Sequence, residues 1–342
     1  MLERDKQKLT MNDKEILKYV KRRLQSQKIS CIKKIKGDAS NRIYYRAKDD
    51  KKKLIIMDSE LEKRNFNNFI KYSKIFKKNR LEIPKIYEID IKKRIIILED
   101  VGNNLIFDKA SKNNFNKIYE NAVLNILEIQ KIKDRSIRNY KEEKYHSESQ
   151  LFVEWVLEKY LNIKITNKDK KEFSKSLNYI IKAIDKKDKK LVHRDYHSKN
   201  LFFKNNNIII IDYQDAVYGS PLYDLVSLLN DCYVDINEQK KDKFKKLFFT
   251  NFNDLNKFTL SYDEFLNNFN YVSVQRHMKA SGIFCRLSIK YNRHNYLQFL
   301  NRTFNYIINS SNNYSKLKII NFYAKEAINK INESNYSSSR QR

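Results

Sequence analysis

The chain is poor in the residues that punctuate or staple a fold. Four glycines and two prolines serve 342 residues, which excludes collagen-like and glycine-rich low-complexity architectures. Three cysteines, Cys31, Cys232 and Cys285, lie far apart and form no CxxC pair. Neither a disulfide framework nor a cysteine-based zinc site is expected, and buried free thiols fit better. No apolar run approaches a transmembrane helix. The longest in the middle of the chain, Ile208 to Ile211, is strand-sized. Met1 to Thr10 is charged and lacks the apolar centre of a signal peptide. A cytoplasmic protein without a membrane partner is the expectation.

Acidic residues are also scarce, 41 against 70 basic ones, for a formal net charge of +29. Such an excess suggests nucleic acid or an anionic surface. Two observations oppose this. The excess is mostly lysine and is accompanied by heavy use of Asn, Ile and Tyr, the residues of A/T-rich codons. The lysines are also spread along the chain rather than gathered in a stripe, and no RRM, KH or zinc-finger signature accompanies them. Nucleic acid is therefore not the expected partner, and nothing in the composition fixes an oligomeric state. Hydrophobic residues make up 41% of the chain, enough for one large domain or two lobes with real cores.

Periodicity divides the chain near Gly102. Before it, Asp13 to Arg23 reads as a helix, followed by strand signals at Ser30 to Lys36, Arg42 to Ala47 and Leu54 to Met57. A helix over Leu61 to Phe76 and strands at Ile86 to Ile89 and Arg94 to Leu98 complete this part. After Gly102, helical patterns dominate: Phe115 to Lys131, Leu151 to Leu161, Lys170 to Ile184, Leu222 to Tyr233, Phe244 to Phe252, Asp263 to Ile289, Asn295 to Ile308 and Leu317 to Ile331. Short strand signals interrupt them at Leu201 to Phe203 and Ile208 to Ile211. Lys133 to Ser149 is polar and is expected to be a loop. The predicted organisation is α+β with two lobes: a β-rich lobe over 1–102, a helical lobe over 103–333, and a disordered tail over 334–342.

One stretch carries chemistry: Leu191-Val-His-Arg-Asp-Tyr-His-Ser-Lys-Asn-Leu201, then Ile208-Ile-Ile-Ile-Asp212. Phosphoryl transfer needs a carboxylate to orient the attacking hydroxyl and accept its proton. It also needs hard oxygen ligands for magnesium. Asp195 lies in a loop between apolar segments. Asn200 follows on that loop and offers an amide oxygen, and Asp212 ends an apolar strand. A loop, a short hairpin and an acidic strand end bring the three groups together. His193 and Arg194 are expected to brace the loop rather than react. A single His-x-Asp is weak evidence, but His-x-Asp-x-x-x-x-Asn followed by an apolar strand ending in Asp is specific.

This pattern resembles the aminoglycoside phosphotransferase and choline kinase superfamily of protein-kinase-like enzymes. Asp212-Tyr-Gln-Asp-Ala-Val-Tyr-Gly-Ser-Pro-Leu-Tyr-Asp224-Leu is similar to that group's metal aspartate, glycine turn and Asp-Leu helix. The resemblance implies a structural role for Asp224, hydrogen-bonded to the catalytic loop from the start of a helix. It narrows to the anomeric N-acetylmuramate/N-acetylglucosamine kinases of cell-wall sugar recycling through Gly37-Asp-Ala-Ser40 with Arg42 and Arg46, Ile56-Met57-Asp58, Leu98-Glu-Asp-Val-Gly102, Phe152-Val-Glu-Trp155 and Val274-Gln-Arg-His-Met-Lys-Ala-Ser-Gly-Ile-Phe-Cys-Arg-Leu287. ATP and Mg²⁺ are the implied cofactors, and a sugar hydroxyl is the implied acceptor.

In that light Gly37, Asp38 and Ser40 occupy the place of a phosphate loop. Protein kinases carry a lysine on the following strand to hold the α/β-phosphates, and here Met57 stands in that place. Arg42 and Arg46 are candidates for a substitute cation; the alternatives are that the phosphates rely more on metal and that both are solvated strand-face arginines, and Glu62 is either a partner for one of them or an exposed helix acid. Glu99 to Val101 forms the hinge edge against which adenine bonds through the backbone. Ile56 and Leu98 are candidates for its apolar slot. Gln275, Arg276 and His277, with nearby Lys279, are candidates for holding the acceptor, and Trp155 reads as core. Two rivals remain. One keeps the fold with an aminoglycoside or choline-type acceptor, and the other is a basic RNA-associating protein with a vestigial kinase fold.

Overall fold

In a computed structural model, residues 13–25, 29, 31–35, 42–48, 52–109, 114–185, 188–256 and 260–339 are described. Gly37, Asp38 and Ser40, the expected phosphate loop, lie outside the described residues. The chain divides into two compact units. The first runs to Lys109 and also takes Asn200–Asp215, and the second comprises Ala110–Lys199 and Ala216–Arg342.

The first unit is built on a five-stranded antiparallel sheet in the order β1-β2-β3-β5-β4. Its strands are β1 (Cys31–Ile35), β2 (Ile43–Lys48), β3 (Lys53–Asp58), β4 (Ile86–Asp90) and β5 (Ile95–Glu99). Alternate side chains of a strand share a face. Tyr45 and Ala47, Leu54 and Ile56, and Ile95 and Ile97 accordingly form one buried face. Ile16, Tyr19 and Val20 of α1 (Asp13–Arg23) pack against it. The Tyr19 hydroxyl donates to Asp90 Oδ2 at 2.7 Å, and Arg23 Nη2 reaches the same oxygen at 2.9 Å. Helix α2 (Lys63–Lys78) follows β3 and buries Phe66, Phe69, Tyr72, Ser73 and Phe76 at helical spacing.

A sequence boundary at Gly102 falls short of the observed one because the chain continues into packed structure. Leu105 bridges to Phe202, and α3 (Ile106–Lys109) follows. Phe202 belongs to β7 (Leu201–Lys204), which pairs with β8 (Asn207–Ile210) in a hairpin. Its two loop residues, Asn205 and Asn206, have φ of 52° and 63°. Asparagine tolerates that left-handed region, and a two-residue turn with both residues there matches the strand twist.

The second unit is helical apart from a short antiparallel pair, β6 (Lys190–Val192) with β9 (Val217–Gly219), that periodicity did not reveal. Its helices are α4 (Phe115–Gln130), α5 (Glu142–Leu151), α6 (Asn167–Ile184), α7 (Tyr223–Leu229), α8 (Glu238–Asn256), α9 (Tyr262–Tyr291), α10 (Leu300–Ser311) and α11 (Lys318–Ser339). The 30-residue α9 is the spine, buried along much of its length and opened by a reciprocal Ser261–Glu264 capping box. Phe152–Tyr160 continues α5 with the wider π-type hydrogen bonding, and Trp155 within it is buried.

Two expectations change here. The last part of the stretch expected to be a loop over Lys133 to Ser149, from Glu142 on, is helix α5, whose Tyr145, Glu148 and Ser149 are buried. Helix α11 continues to Ser339, into the residues expected to form a disordered tail. Among the described residues no helix is long and apolar enough to cross a membrane.

Candidate active site

In the first unit the hairpin brings Asn200 and Asp212 to one end. The Ile211 N–H donates to the Asn200 carbonyl at 3.1 Å, which continues the ladder one step beyond the Leu201–Ile210 pair. Asp212 then turns away at φ 62°, a conformation that costs a non-glycine residue of order 1 kcal/mol and recurs at functional sites. Tyr213 anchors that turn on α2. Its ring lies 5.1 Å from those of both Phe69 and Phe76, and its hydroxyl meets Ser73 Oγ at 2.8 Å.

The two candidate cations take different partners. Arg42 is buried, with Nη2 2.9 Å from Asp212 Oδ1 and Nε 3.6 Å from Glu62 Oε2. Gln214 Nε2 donates to the same Asp212 oxygen at 2.9 Å. The Tyr44 hydroxyl beside Arg42 is pushed up to about 12, chiefly by burial. Arg46 is half-exposed and turns to Asp100, at 2.8 Å. Met57 is fully buried and apolar, so the cation near Asp212 comes from Arg42 at the entrance to β2.

The segment expected to form the hinge, Glu99 to Val101, is partly committed to the fold. Glu99 N–H donates to Lys85 O and Asp100 N–H to Lys53 O, while Gly102 N–H, at φ 90°, donates to Asp100 Oδ1. Among the described residues the Val101 N–H has no protein acceptor. Glu99 spends its side chain on Lys204 Nζ at 3.1 Å. Beside this edge Val101, Phe202 and Ile209 form an apolar cluster with Leu105 and Ile211. Ile56 is not part of it, because it faces the α1 side of the sheet.

In the second unit, β6 delivers His193, Arg194 and Asp195. Asp224, in the first turn of α7, is fully buried and accepts from two consecutive backbone groups. Its Oδ2 takes the His193 N–H at 2.6 Å and its Oδ1 the Arg194 N–H at 2.9 Å. Arg194 sits at φ 77°. Burial pushes the Asp224 carboxyl up to about 6, although His193 and the two backbone donors pull it down. Asp195 behaves oppositely. Burial alone would raise it, but Lys279 and then Arg194 hold its carboxyl well below the usual carboxylate range.

Arg194 extends to a residue absent from the sequence-based candidates. Its Nη2 lies 2.6 Å from Glu148 Oε1, and its guanidinium lies over the Tyr140 ring at 4.7 Å. Glu148 Oε2 faces Lys279 Nζ at 3.5 Å and accepts from the Tyr140 hydroxyl. Further along the loop, the Ser198 N–H donates to buried Asp231 at 2.8 Å.

The three acceptor candidates on α9 fare unequally. Gln275 is fully buried and turns its amide to Ser149 Oγ and Tyr145 O on α5. His277 is also fully buried, between the Asn230 and Ser273 carbonyls at 2.8 and 2.6 Å. Burial, then Arg276, lowers its pKa to about 3. The His277 ring is spent on these two carbonyls, which leaves it unsuited to hold an acceptor, whereas Gln275 Oε1 is buried without a hydrogen-bond partner among the described residues. Arg276 is buried too, its Nε 2.5 Å from Ser227 Oγ, and Asp195 is among the negative groups it faces. Two open clefts of this unit, one along α6 and α11 and one beside Phe152–Tyr160, share no residue with the Asp195 loop.

An antiparallel sheet with a hairpin ending in Asn200 and Asp212, and a helical unit presenting an aspartate on a braced loop, define a kinase-like phosphotransferase. The chain belongs to the phosphotransferase enzyme family, whose model matches residues 32–244. Among curated relatives, the N-acetylmuramate/N-acetylglucosamine kinase of Neisseria meningitidis serogroup B is 27% identical over 297 residues, 82% of this chain and 86% of that one. The enzyme of that name from Pseudomonas aeruginosa is 25% identical over 277 residues, 79% and 81% respectively. Among solved structures, the choline kinase LicA from Streptococcus pneumoniae superimposes with a TM-score of 0.61 at 15% identity, covering 85% of this chain and 98% of that one. ADP-bound aminoglycoside phosphotransferase APH(2'')-Ib gives 0.59 at 14%, covering 85% and 97%. At those identities the structural likeness is one of fold.

Proposed function

We propose that the chain transfers the γ-phosphate of ATP to the anomeric hydroxyl of N-acetylmuramate or N-acetylglucosamine, in the cytoplasm, as a step in recycling cell-wall sugars. The observation that carries the chemistry is the hairpin end that holds Asn200 beside Asp212. The acceptor rests on the curated relatives, which share this name over about four fifths of both chains.

Asp212 and Asn200 are the proposed magnesium ligands, and the donor set fits. Among the described residues Asp212 Oδ2 takes no protein donor. One carboxylate with one amide oxygen suits a hard cation that otherwise keeps water and substrate phosphate. Magnesium, when bound, neutralises charge on the β- and γ-phosphate oxygens. Asp195 orients the acceptor hydroxyl and takes its proton as the new oxygen–phosphorus bond forms. The bond from the γ-phosphorus to the β-phosphate oxygen breaks, and ADP leaves with that electron pair. The main contribution of Asp195 is positioning, as a loose phosphoryl transition state requires. The Val101 N–H beside the Val101–Phe202–Ile209 cluster offers a donor and an apolar face to a purine.

A cationic acceptor, aminoglycoside or choline, is disfavoured by Lys279 and Arg276, whose charges act on Asp195. The test is a phosphate-transfer screen over amino sugars, aminoglycosides and choline, with phosphorus NMR of the product. An anomeric phosphate on an amino sugar is expected, and a phosphate only on choline or an aminoglycoside would replace the acceptor. Asp195→Asn should abolish turnover while sparing ATP binding, and retained turnover would remove Asp195 from its role.

A further inference from the structure

We infer that Glu148 and Lys279 are positioning residues for phosphoryl transfer, forming an ion-paired tether from α9 through α5 to the loop that carries Asp195. The inference rests on the reading above, because it assigns how the proposed catalytic loop is held.

Helix α5 has little apolar surface of its own. Glu-Glu-Lys-Tyr-His-Ser-Glu-Ser-Gln-Leu buries a glutamate instead of a leucine at the point where α9 crosses. The Glu148 side chain is 6% exposed and receives Arg194 Nη2 at 2.6 Å on one oxygen. The Tyr140 hydroxyl and, at 3.5 Å, Lys279 Nζ approach the other oxygen. Lys144 approaches from the solvent side at 3.4 Å, largely exposed.

Arg194 is thereby fixed twice. Asp224 holds its backbone N–H at 2.9 Å, and Glu148 holds its guanidinium. It sits in the left-handed region at φ 77°, which an arginine keeps only where its surroundings determine it, and it directly precedes Asp195. Arg194 and Lys279 on one side, and Glu148 and Asp195 on the other, make two buried cations facing two carboxylates. A buried ion pair of this kind is weak evidence for stability, since an apolar core often serves as well. Its connection to the residue before Asp195 is what gives it a functional reading.

The seam between α5 and α9 is shaped to allow it. Gln275, Lys279 and Gly282 follow one another at helical spacing along α9. Gln275 faces Tyr145 and Ser149, Lys279 faces Glu148, and Gly282 faces Leu151. A Cβ on Gly282 would stand 2.5 Å from the Leu151 backbone. The glycine is what lets α9 lie close enough for Lys279, one turn before it, to reach Glu148.

The experiment is steady-state kinetics of the full chain with Glu148→Asp, Lys279→Met and the double variant Glu148→Gln/Lys279→Met. The last removes one charge of each sign and so keeps the buried charge balanced, which protects its fold. Each variant should lose about tenfold or more in kcat while KM for ATP stays within about twofold, because misplacing a reacting group acts on turnover. The double variant should lose no more than about twofold beyond Lys279→Met, since both residues belong to one tether. A folded double variant with wild-type kcat overturns the proposal, and so does a loss confined to melting temperature. The acceptor used is whichever one the wild-type chain phosphorylates, or water through basal ATP hydrolysis if none is found. Failure of the sugar reading is therefore seen in the wild type, and failure of the tether only in the variants.

Discussion

Asp224 offers the sharpest test of how the proposed catalytic loop is held. Its carboxylate is fully buried and accepts from two successive backbone N–H groups, yet burial pushes its pKa up to about 6. In the unfolded chain the same group titrates near 3.8. A raised carboxyl binds more protons in the folded state, so the stability it adds is fully present below the unfolded pKa and is lost as pH rises through the folded one. Between pH 5 and pH 7 the loss from this group alone is about 1.4 kcal/mol, one pK unit's worth. Histidines held neutral by burial, such as His277, act in the opposite sense over this range, so absolute stability does not isolate Asp224. The comparison with Asp224→Asn does. The gap in unfolding free energy between wild type and variant, from urea titrations, should shrink by about 1.4 kcal/mol from pH 5 to pH 7. The variant amide has one acceptor oxygen for two donors. One loop N–H is left unpaired at a cost of about 1–3 kcal/mol, and if the loop yields instead, kcat falls by roughly 5- to 150-fold. A gap that does not change with pH, together with undiminished turnover, would refute both the burial of the charge and the clamp.

Other consequences follow from the same geometry. Arg42→Gln should raise KM for ATP about tenfold or more, since it removes the cation from Asp212 and Glu62, whereas Arg46→Gln should change it less than about twofold. Gly282→Ala should destabilise the fold by about 1–3 kcal/mol in thermal or urea unfolding, because the added methyl meets Leu151 backbone and outweighs the gain in helix propensity. Cys232 and Cys285 are buried, with burial raising both thiols. Neither should react with a thiol reagent until the chain is denatured, and labelling at the native rate of an exposed cysteine would contradict their placement.

What the sequence revealed depended on whether the relevant physics was local. Asn200 and Asp212 were readable because the hairpin between them is set by short-range chemistry: two apolar strands and an Asn-Asn turn in the left-handed region. Asp224 was legible only through the family resemblance of the stretch from Asp212 to Leu225. Glu148 was not, because α5 shows almost no apolar periodicity. It is a helix only because Tyr145, Ser149 and Leu151 meet α9, more than a hundred residues away in the chain. His277 misled for the complementary reason. A polar side chain on a long helix reads as available until the packing of Asn230 against it is known. The outline of two units and the order of their elements were recoverable from periodicity, whereas β6 and β9 are too short to carry a period.

We propose Arg42 as the substitute for the absent strand lysine. Met57 lies on β3 with no exposure at all, so a lysine there would need a fully buried partner. Arg42 enters from the residue before β2, remains buried, and faces Glu62 ahead of α2 and Asp212 beyond the hairpin. Its planar guanidinium presents separate donors to the two carboxylates, which a single ammonium does less well. The arrangement joins the sheet, α2 and the hairpin through one side chain, while Tyr213 joins the last two a second time through Ser73 and the Phe69 and Phe76 rings. A lysine at 42 would keep the charge but lose one of these reaches. Arg42→Lys should therefore retain part of the ATP affinity that Arg42→Gln loses, while weakening the hold on Asp212. The expected signature is a higher magnesium concentration for half-maximal turnover than in wild type. An unchanged magnesium requirement would show that Arg42 serves the phosphates alone and leaves Asp212 to Gln214 and Tyr213.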